Sequence, residues 1–147
     1  MTKKENIKAV SVEVSTKERD KFLEELVFNG FATYQTSILD GKINIELKSL
    51  SGDDQLSLDT KVADIDASPV KVMHSHTIWL LTFALTKFGD TNLTLMSEKE
   101  KFDFIKSKSS VIIDLISNEH NTFHKKLQAS VVGEAIEEVF LESPPTS

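Results

Sequence analysis

The sequence predicts an α+β fold, and three patterns carry that prediction. An alternating segment at Ile43, Ile45 and Leu47 follows the turn pair Asp40-Gly41, which is typical of a β-hairpin. Helix-start signals with 3.6-residue apolar spacing recur through the rest of the chain. We therefore expect a small antiparallel sheet with a β-hairpin, followed by a mostly helical C-terminal half.

Length and composition favour one domain spanning residues 1–147. The chain has 147 residues, of which 39% are hydrophobic, enough for a single core. It contains no cysteine, which excludes disulfides and thiolate zinc sites. The net charge of −6 disfavours nucleic acid as a partner. No apolar run approaches the roughly 20 residues of a spanning helix, and the N-terminus does not have the pattern of a secretory signal.

The first half of the chain predicts a β-α-β-β order over about 9–48. Val10, Val12 and Val14 alternate with polar residues, which indicates a strand at about 9–14. Ser15 opens a helix at about 16–27, and the hairpin strands are expected at about 31–38 and 43–48. Ser51 precedes a short helix at about 52–59, and residues 60–67 are interpreted as a loop.

Three further helices are predicted in the second half. Ser68-Pro69 begins a helix at about 69–88, apolar on all sides in its C-terminal half and stopped by Gly89. Leu93 and Leu95 suggest a short extended piece. Helices are expected at about 98–116, with a break or kink near Ser107–Ser110, and at about 119–141.

The four histidines are the first candidates for metal binding. His74 and His76 point about 200° apart on a helix and cannot share an ion there. His120 and His124 have the i, i+4 spacing that can hold a metal, but no glutamate base lies between them and no third ligand is identifiable. A small metal-dependent or acid–base enzyme using these four histidines is therefore the weaker hypothesis. We expect no catalytic residue, no metal and no cofactor.

The acidic pairs and the glycines also favour structural interpretations. Asp53-Asp54 fits a helix start, and Glu137-Glu138 fits a solvated face. The five glycines are dispersed and form no phosphate-binding loop, and no Gly-x-Ser-x-Gly elbow occurs.

The hairpin region resembles baseplate-hub and tail-assembly proteins of tailed bacteriophages. The resemblance covers about 28–90: an aromatic segment at 28–34, the hairpin and acidic turn at 40–56, and an apolar helix ending in Phe88-Gly89. It implies a small phage protein, without a cofactor, that docks onto tail or baseplate components, for instance as an assembly chaperone. It also implies a location in the host cytoplasm during assembly, with retention in the virion and oligomerisation left open.

Protein–protein contact is therefore the leading hypothesis. The edge strand of the hairpin and the C-terminal apolar residues Ile136, Val139 and Phe140 are the candidate partner-facing features, although the same spacing would fit residues that close the core. A host-directed inhibitory or regulatory module is the alternative of a different class.

Overall fold

A four-stranded antiparallel sheet organises the fold, with strands in the order β1-β2-β3-β4. The structure, a computed structural model, describes residues 13–65 and 68–142, and their side chains as far as residue 132. The four strands are β1 (Thr33–Ile38), β2 (Ile43–Lys48), β3 (Leu85–Phe88) and β4 (Thr91–Asn92). The five helices of the described ranges are α1 (Thr16–Asn29), α2 (Gly52–Ala63), α3 (Pro69–Ala84), α4 (Glu98–Lys106) and α5 (Ser110–Glu142). The predicted α+β class is confirmed.

The predicted hairpin is present, with Thr33 opposite Lys48 and Ile38 opposite Ile43. Its connection is longer than the two-residue turn that Asp40-Gly41 suggested, because Leu39 to Lys42 all lie outside the strands. Asp40 and Gly41 nevertheless have the expected positive φ angles of 54° and 83°, and Leu39 adds a third at 55°. The N–H of Lys42 donates to the carbonyl of Leu39 at 3.1 Å and closes the turn.

The helix starts agree with the sequence signals. Ser15, Ser51, Ser68 and Ser97 each accept a hydrogen bond from a backbone N–H three residues on, as N-caps do. At Ser51 and Ser97 the acidic third residue also accepts from the cap's own N–H, which completes a capping box.

Several predicted boundaries are wrong. The helix predicted at 52–59 continues to Ala63, so the loop predicted at 60–67 is partly helical. The helix predicted at 69–88 ends at Ala84, and Leu85–Phe88 forms strand β3, with Leu47 opposite Leu85 and Ile45 opposite Phe88. There the chain leaves the helix, and its backbone groups pair with the second edge of β2.

The remaining differences concern the segment after β4, helix α5 and the N-terminal strand. Leu93–Leu95 is a 3₁₀ helix rather than an extended piece. The predicted break after Lys106 is present, but α5 then runs without interruption from Ser110 to Glu142 instead of restarting near 119. The strand predicted at 9–14 lies mostly outside the described residues, and Glu13 and Val14 are not in a strand.

The core lies between one face of the sheet and the helices. Its largest fully buried side chains come from all five helices, from β2 and β3, and from the 3₁₀ segment, and include Phe22, Leu47, Leu81, Leu85 and Phe123. Helix α3 is less enclosed than its composition suggested: Trp79, Leu80 and Phe83 are only half-buried. Trp79 stacks on Phe102 of α4 with ring centroids 4.1 Å apart.

Candidate protein-binding groove

An apolar groove of about 570 Å³ runs along one side of α5. Its opposite wall is built from α1, the segment after β2, α2 and α3, which contribute Leu26, Leu50, Gln55 and Leu80. The residues of α5 in the groove are His120, Asn121, Phe123, His124, Leu127, Gln128, Val131 and Val132. We call this feature the α5 groove.

Burial decreases steadily along the groove face of α5. Phe123 is fully buried and Leu127 is half-buried, whereas Val131 and Val132 are 49% and 52% exposed. The i, i+4, i+8 spacing of Phe123, Leu127 and Val131 therefore starts in the core and ends on the surface. Leu26 of α1 lines the groove, and the next two residues, Val27 and Phe28, are 77% and 78% exposed.

Contacts with α1 and β1 fix the position of the α5 wall. The Phe123 ring lies 5.7 Å from that of Phe22 and stacks on Tyr34 at 5.2 Å. One turn farther on, Lys126 Nζ lies 3.0 Å from Glu18 Oε2. Because Phe22 meets Phe123 and Glu18 meets Lys126, α1 and α5 run antiparallel. These contacts hold the groove in place without a ligand.

Among the residues whose side chains the structure describes, no aspartate, glutamate, lysine or arginine lines the α5 groove. The described lining includes two titratable residues, His120 and His124, whose rings are nearly parallel with centroids 6.5 Å apart. Burial lowers the pKa of His120, and the neighbouring His124 lowers it further. Both effects favour the neutral imidazole, which suits an apolar surface.

The histidines do not assemble a metal site within the described residues, where no group of three or more His, Cys, Asp or Glu side chains could hold an ion. His120 and His124 share the groove, whereas His74 and His76 lie in α3, are exposed, and do not line it. A reaction that used all four histidines would need their rings in one site. The structure instead places one pair in the α5 groove and the other pair outside it.

The acidic residues with shifted pKa values have structural partners. Partial burial raises the pKa of Asp54, but hydrogen bonds from Ser51 and Lys48 outweigh it, so this pKa lies below its usual value. The side chain caps α2, as predicted for the Asp53-Asp54 pair. Burial likewise raises the pKa of Glu25, and hydrogen bonds from Lys21 and Thr33 lower it overall. Glu137-Glu138 lies outside the described side chains.

The predicted partner-facing residues Ile136, Val139 and Phe140 fall within α5, but their side chains lie outside the described residues. The groove instead presents Val131 and Val132 at the surface, together with residues from distant parts of the chain. Ile136 and Val139 follow Val132 by four and seven residues in sequence, which is the spacing of one helical face. That continuity and the i, i+4, i+8 spacing of Phe123, Leu127 and Val131 are the sequence signals of the α5 wall of the groove.

Comparison with known proteins identifies no relative: no family model matches the chain, and no similar curated protein or solved structure was found. The described part of the chain also contains no helix that is long and apolar enough to cross a membrane.

Proposed function

We propose that this protein acts by binding an apolar helix of another protein in the α5 groove, as a component or assembly factor of a phage tail or baseplate. The observation that carries the proposal is the groove itself: a surface of Leu26, Leu50, Leu80 and Leu127 that ends at two half-exposed valines. Surfaces of this kind are used to seat the apolar side of an amphipathic helix.

The charge distribution supports an uncharged contact face on the partner. The chain carries a net charge of −6, yet the groove lining that the structure describes, which ends at Val132, contains no charged side chain. A partner that buried a carboxylate or an ammonium group here would lose its hydration without gaining an opposite charge. Gln55, Asn121 and Gln128 at the rim offer hydrogen bonds to a polar margin. This arrangement matches the apolar centre and polar rim of protein interfaces.

The phage context comes from the resemblance of residues 28–90 to baseplate-hub and tail-assembly proteins. A host-directed inhibitory module would use the same groove with a different partner, so the identity of the bound protein separates the two hypotheses.

The test uses a matched pair of substitutions on α5. Val132→Asp puts a carboxylate into the groove at an exposed position, and Val111→Asp puts the same residue at another exposed position of the helix that does not line the groove. Both variants should melt within a few degrees of the wild type, because surface substitutions usually change stability by less than about 0.5 kcal/mol.

The readout is copurification from phage-infected cells, with crosslinking through Val131→Cys in a chain that has no other cysteine. We expect a tail or baseplate protein to crosslink to Val131→Cys alone and to Val131→Cys combined with Val111→Asp, but not to Val131→Cys combined with Val132→Asp. Crosslinking to a host enzyme would support the host-directed alternative. Equal recovery with Val132→Asp and Val111→Asp would refute the groove as the binding surface.

A further inference from the structure

Two histidine side chains lie together in the wall of the α5 groove. His120 and His124 are one helical turn apart, and the planes of their rings meet at 10° with centroids 6.5 Å apart. The His120 side chain is half-buried, the His124 side chain is exposed, and both line the groove beside Phe123 and Leu127. A helix seated in this groove would therefore lie against both rings and remove water from them.

The groups that line the groove opposite the two imidazoles are uncharged in the part of the chain that the structure describes. They come from α1, the segment after β2, α2 and α3, and are Leu26, Ser49, Leu50, Gln55 and Leu80. The hydroxyl of Ser49 and the amide of Gln55 can hydrogen-bond a neutral imidazole, but neither carries a charge that would offset an imidazolium. A proton added to either ring therefore brings a positive charge to a largely apolar surface, which is unfavourable.

The charged residues of α5 nearest the pair in sequence have other partners or the same sign as an imidazolium. Thr36 donates to Glu119 at 2.8 Å, and Lys126 Nζ lies 3.0 Å from Glu18 Oε2. Lys125 is exposed, and its ammonium group would repel a protonated imidazole. The two carboxylates are thus already engaged by groups of β1 and α5.

Burial and protonation already oppose each other at His120 in the protein alone. Burial lowers the pKa of this imidazole, and the neighbouring His124 lowers it further. A partner helix that covered the groove would remove more water and lower the pKa again. Binding that is complete above the pKa of the free protein is therefore lost as the pH falls through it.

We propose that the α5 groove holds its partner helix while His120 and His124 are neutral and releases it when they are protonated. This inference rests on the proposed function, because it concerns the same groove and the same kind of occupant. Each imidazole that loses a proton on binding weakens that binding by up to about tenfold for every pH unit below its pKa in the free protein. The affinity of the groove therefore changes in the range where histidine titrates.

The probe is an acetylated and amidated helical peptide with leucines at helical spacing in a background of alanine and glutamine. It contains no ionisable group, so any pH dependence of its binding comes from the protein. Isothermal titration calorimetry with the full-length protein measures the dissociation constant at about pH 7.5 and 5.5, and circular dichroism checks that the protein is folded at both. We expect a dissociation constant at least about tenfold higher at the lower pH.

Matched substitutions of the four histidines locate the effect. His120→Gln combined with His124→Gln removes both imidazoles from the groove. His74→Gln combined with His76→Gln removes the same number from α3, where both side chains are exposed and outside the groove. The ratio of the dissociation constants at the two pH values should fall close to one in the groove variant and stay as in the wild type in the α3 variant. Because the ratio is compared, a change in affinity caused by the groove substitutions themselves does not affect the result.

The possible failures are distinguishable. Equal affinity at the two pH values for a peptide that Val132→Asp displaces would overturn this inference and leave the groove as a helix-binding site. A pH dependence that persists in the groove variant would assign it to other groups and also overturn the inference. No binding at either pH, or binding indifferent to Val132→Asp, would refute the proposed function and this inference together.

A second measurement on the unmodified protein decides the question if the groove variant does not fold. Nuclear magnetic resonance follows the titration of each imidazole with and without the peptide. We expect the peptide to move the titration of His120 to lower pH and to leave those of His74 and His76 in place. An unshifted titration of His120 in the complex would overturn the inference.

Discussion

Replacing Phe123 by alanine should remove the contact that joins α5 to both α1 and β1. The side chain is 1% exposed and touches the rings of Phe22 and Tyr34. Truncating a buried phenylalanine to alanine costs about 3–5 kcal/mol, because transfer free energy is lost and a cavity remains. Each aromatic contact contributes about 0.5–1.5 kcal/mol of its own. We therefore expect Phe123→Ala to lower the free energy of unfolding by about 4 kcal/mol.

That loss is a large fraction of the 5–15 kcal/mol that stabilises a typical domain, and it corresponds to a fall in Tm of about 8–16 °C. Urea denaturation followed by circular dichroism measures it, with Val111→Ala as the control. Val111 lies on the same helix but is 60% exposed, so its truncation should cost no more than about 0.5 kcal/mol. A loss below about 1.5 kcal/mol for Phe123→Ala would refute the packing of α5 described above.

Three further substitutions test local features of the fold. Gly41→Ala should destabilise the protein by about 1–2 kcal/mol in urea denaturation; no atom lies within 4 Å of the added Cβ, so the cost would come from the positive φ alone, and an unchanged midpoint would argue against that backbone conformation. Ser51→Ala should cost about 1 kcal/mol by removing the acceptor for the Asp54 N–H, and a neutral result would exclude a working cap at α2. His120 has a lowered pKa in the folded chain, so the unfolded chain takes up the proton at higher pH and stability should fall as the pH drops below the unfolded value of about 6.5. His120→Gln should flatten that slope between urea midpoints at pH 7.5 and 5.5, whereas an unchanged slope would assign it to other groups.

The features that sequence predicted well depend on neighbours within a few residues. A serine cap acts on an N–H three residues away, so the starts of α1, α2, α3 and α4 could be placed from short motifs. The hairpin is local in the same sense, since Asp40 and Gly41 supply the positive φ angles that reverse the chain.

The end of α3 could not be predicted in this way. Leu85 continues the apolar run of the helix, Phe88 follows three residues later, and Gly89 stands where a helix would stop. In the structure these four residues pair with β2, about 40 residues earlier in the chain, and the Thr86 hydroxyl donates to the carbonyl of Glu46. Gly89, with φ 58°, turns the chain between β3 and β4 and donates its N–H to Asn44. The strand conformation of residues 85–88 therefore depends on pairing with β2, which is distant in sequence.

The α5 groove was hidden from the sequence for a related reason. Helical spacing identified the apolar face of α5 at Phe123, Leu127 and Val131, but spacing alone does not show where the neighbouring elements stop covering it. The opposite wall comes from Leu26, Leu50 and Leu80, which are far apart in the chain and meet only in the folded protein.

Helix α5 contributes side chains to both the core and the groove. Substitutions at different positions along it should therefore affect stability and binding separately. Phe123 is enclosed by α1 and β1, so its truncation should lower stability and disturb the groove wall together. Val132 is 52% exposed, so its substitution should leave stability nearly unchanged and affect only what binds there. If Val132→Asp lowered the free energy of unfolding as much as Phe123→Ala, the exposed end of this face would belong to the core, and the basis for a docking groove would be lost.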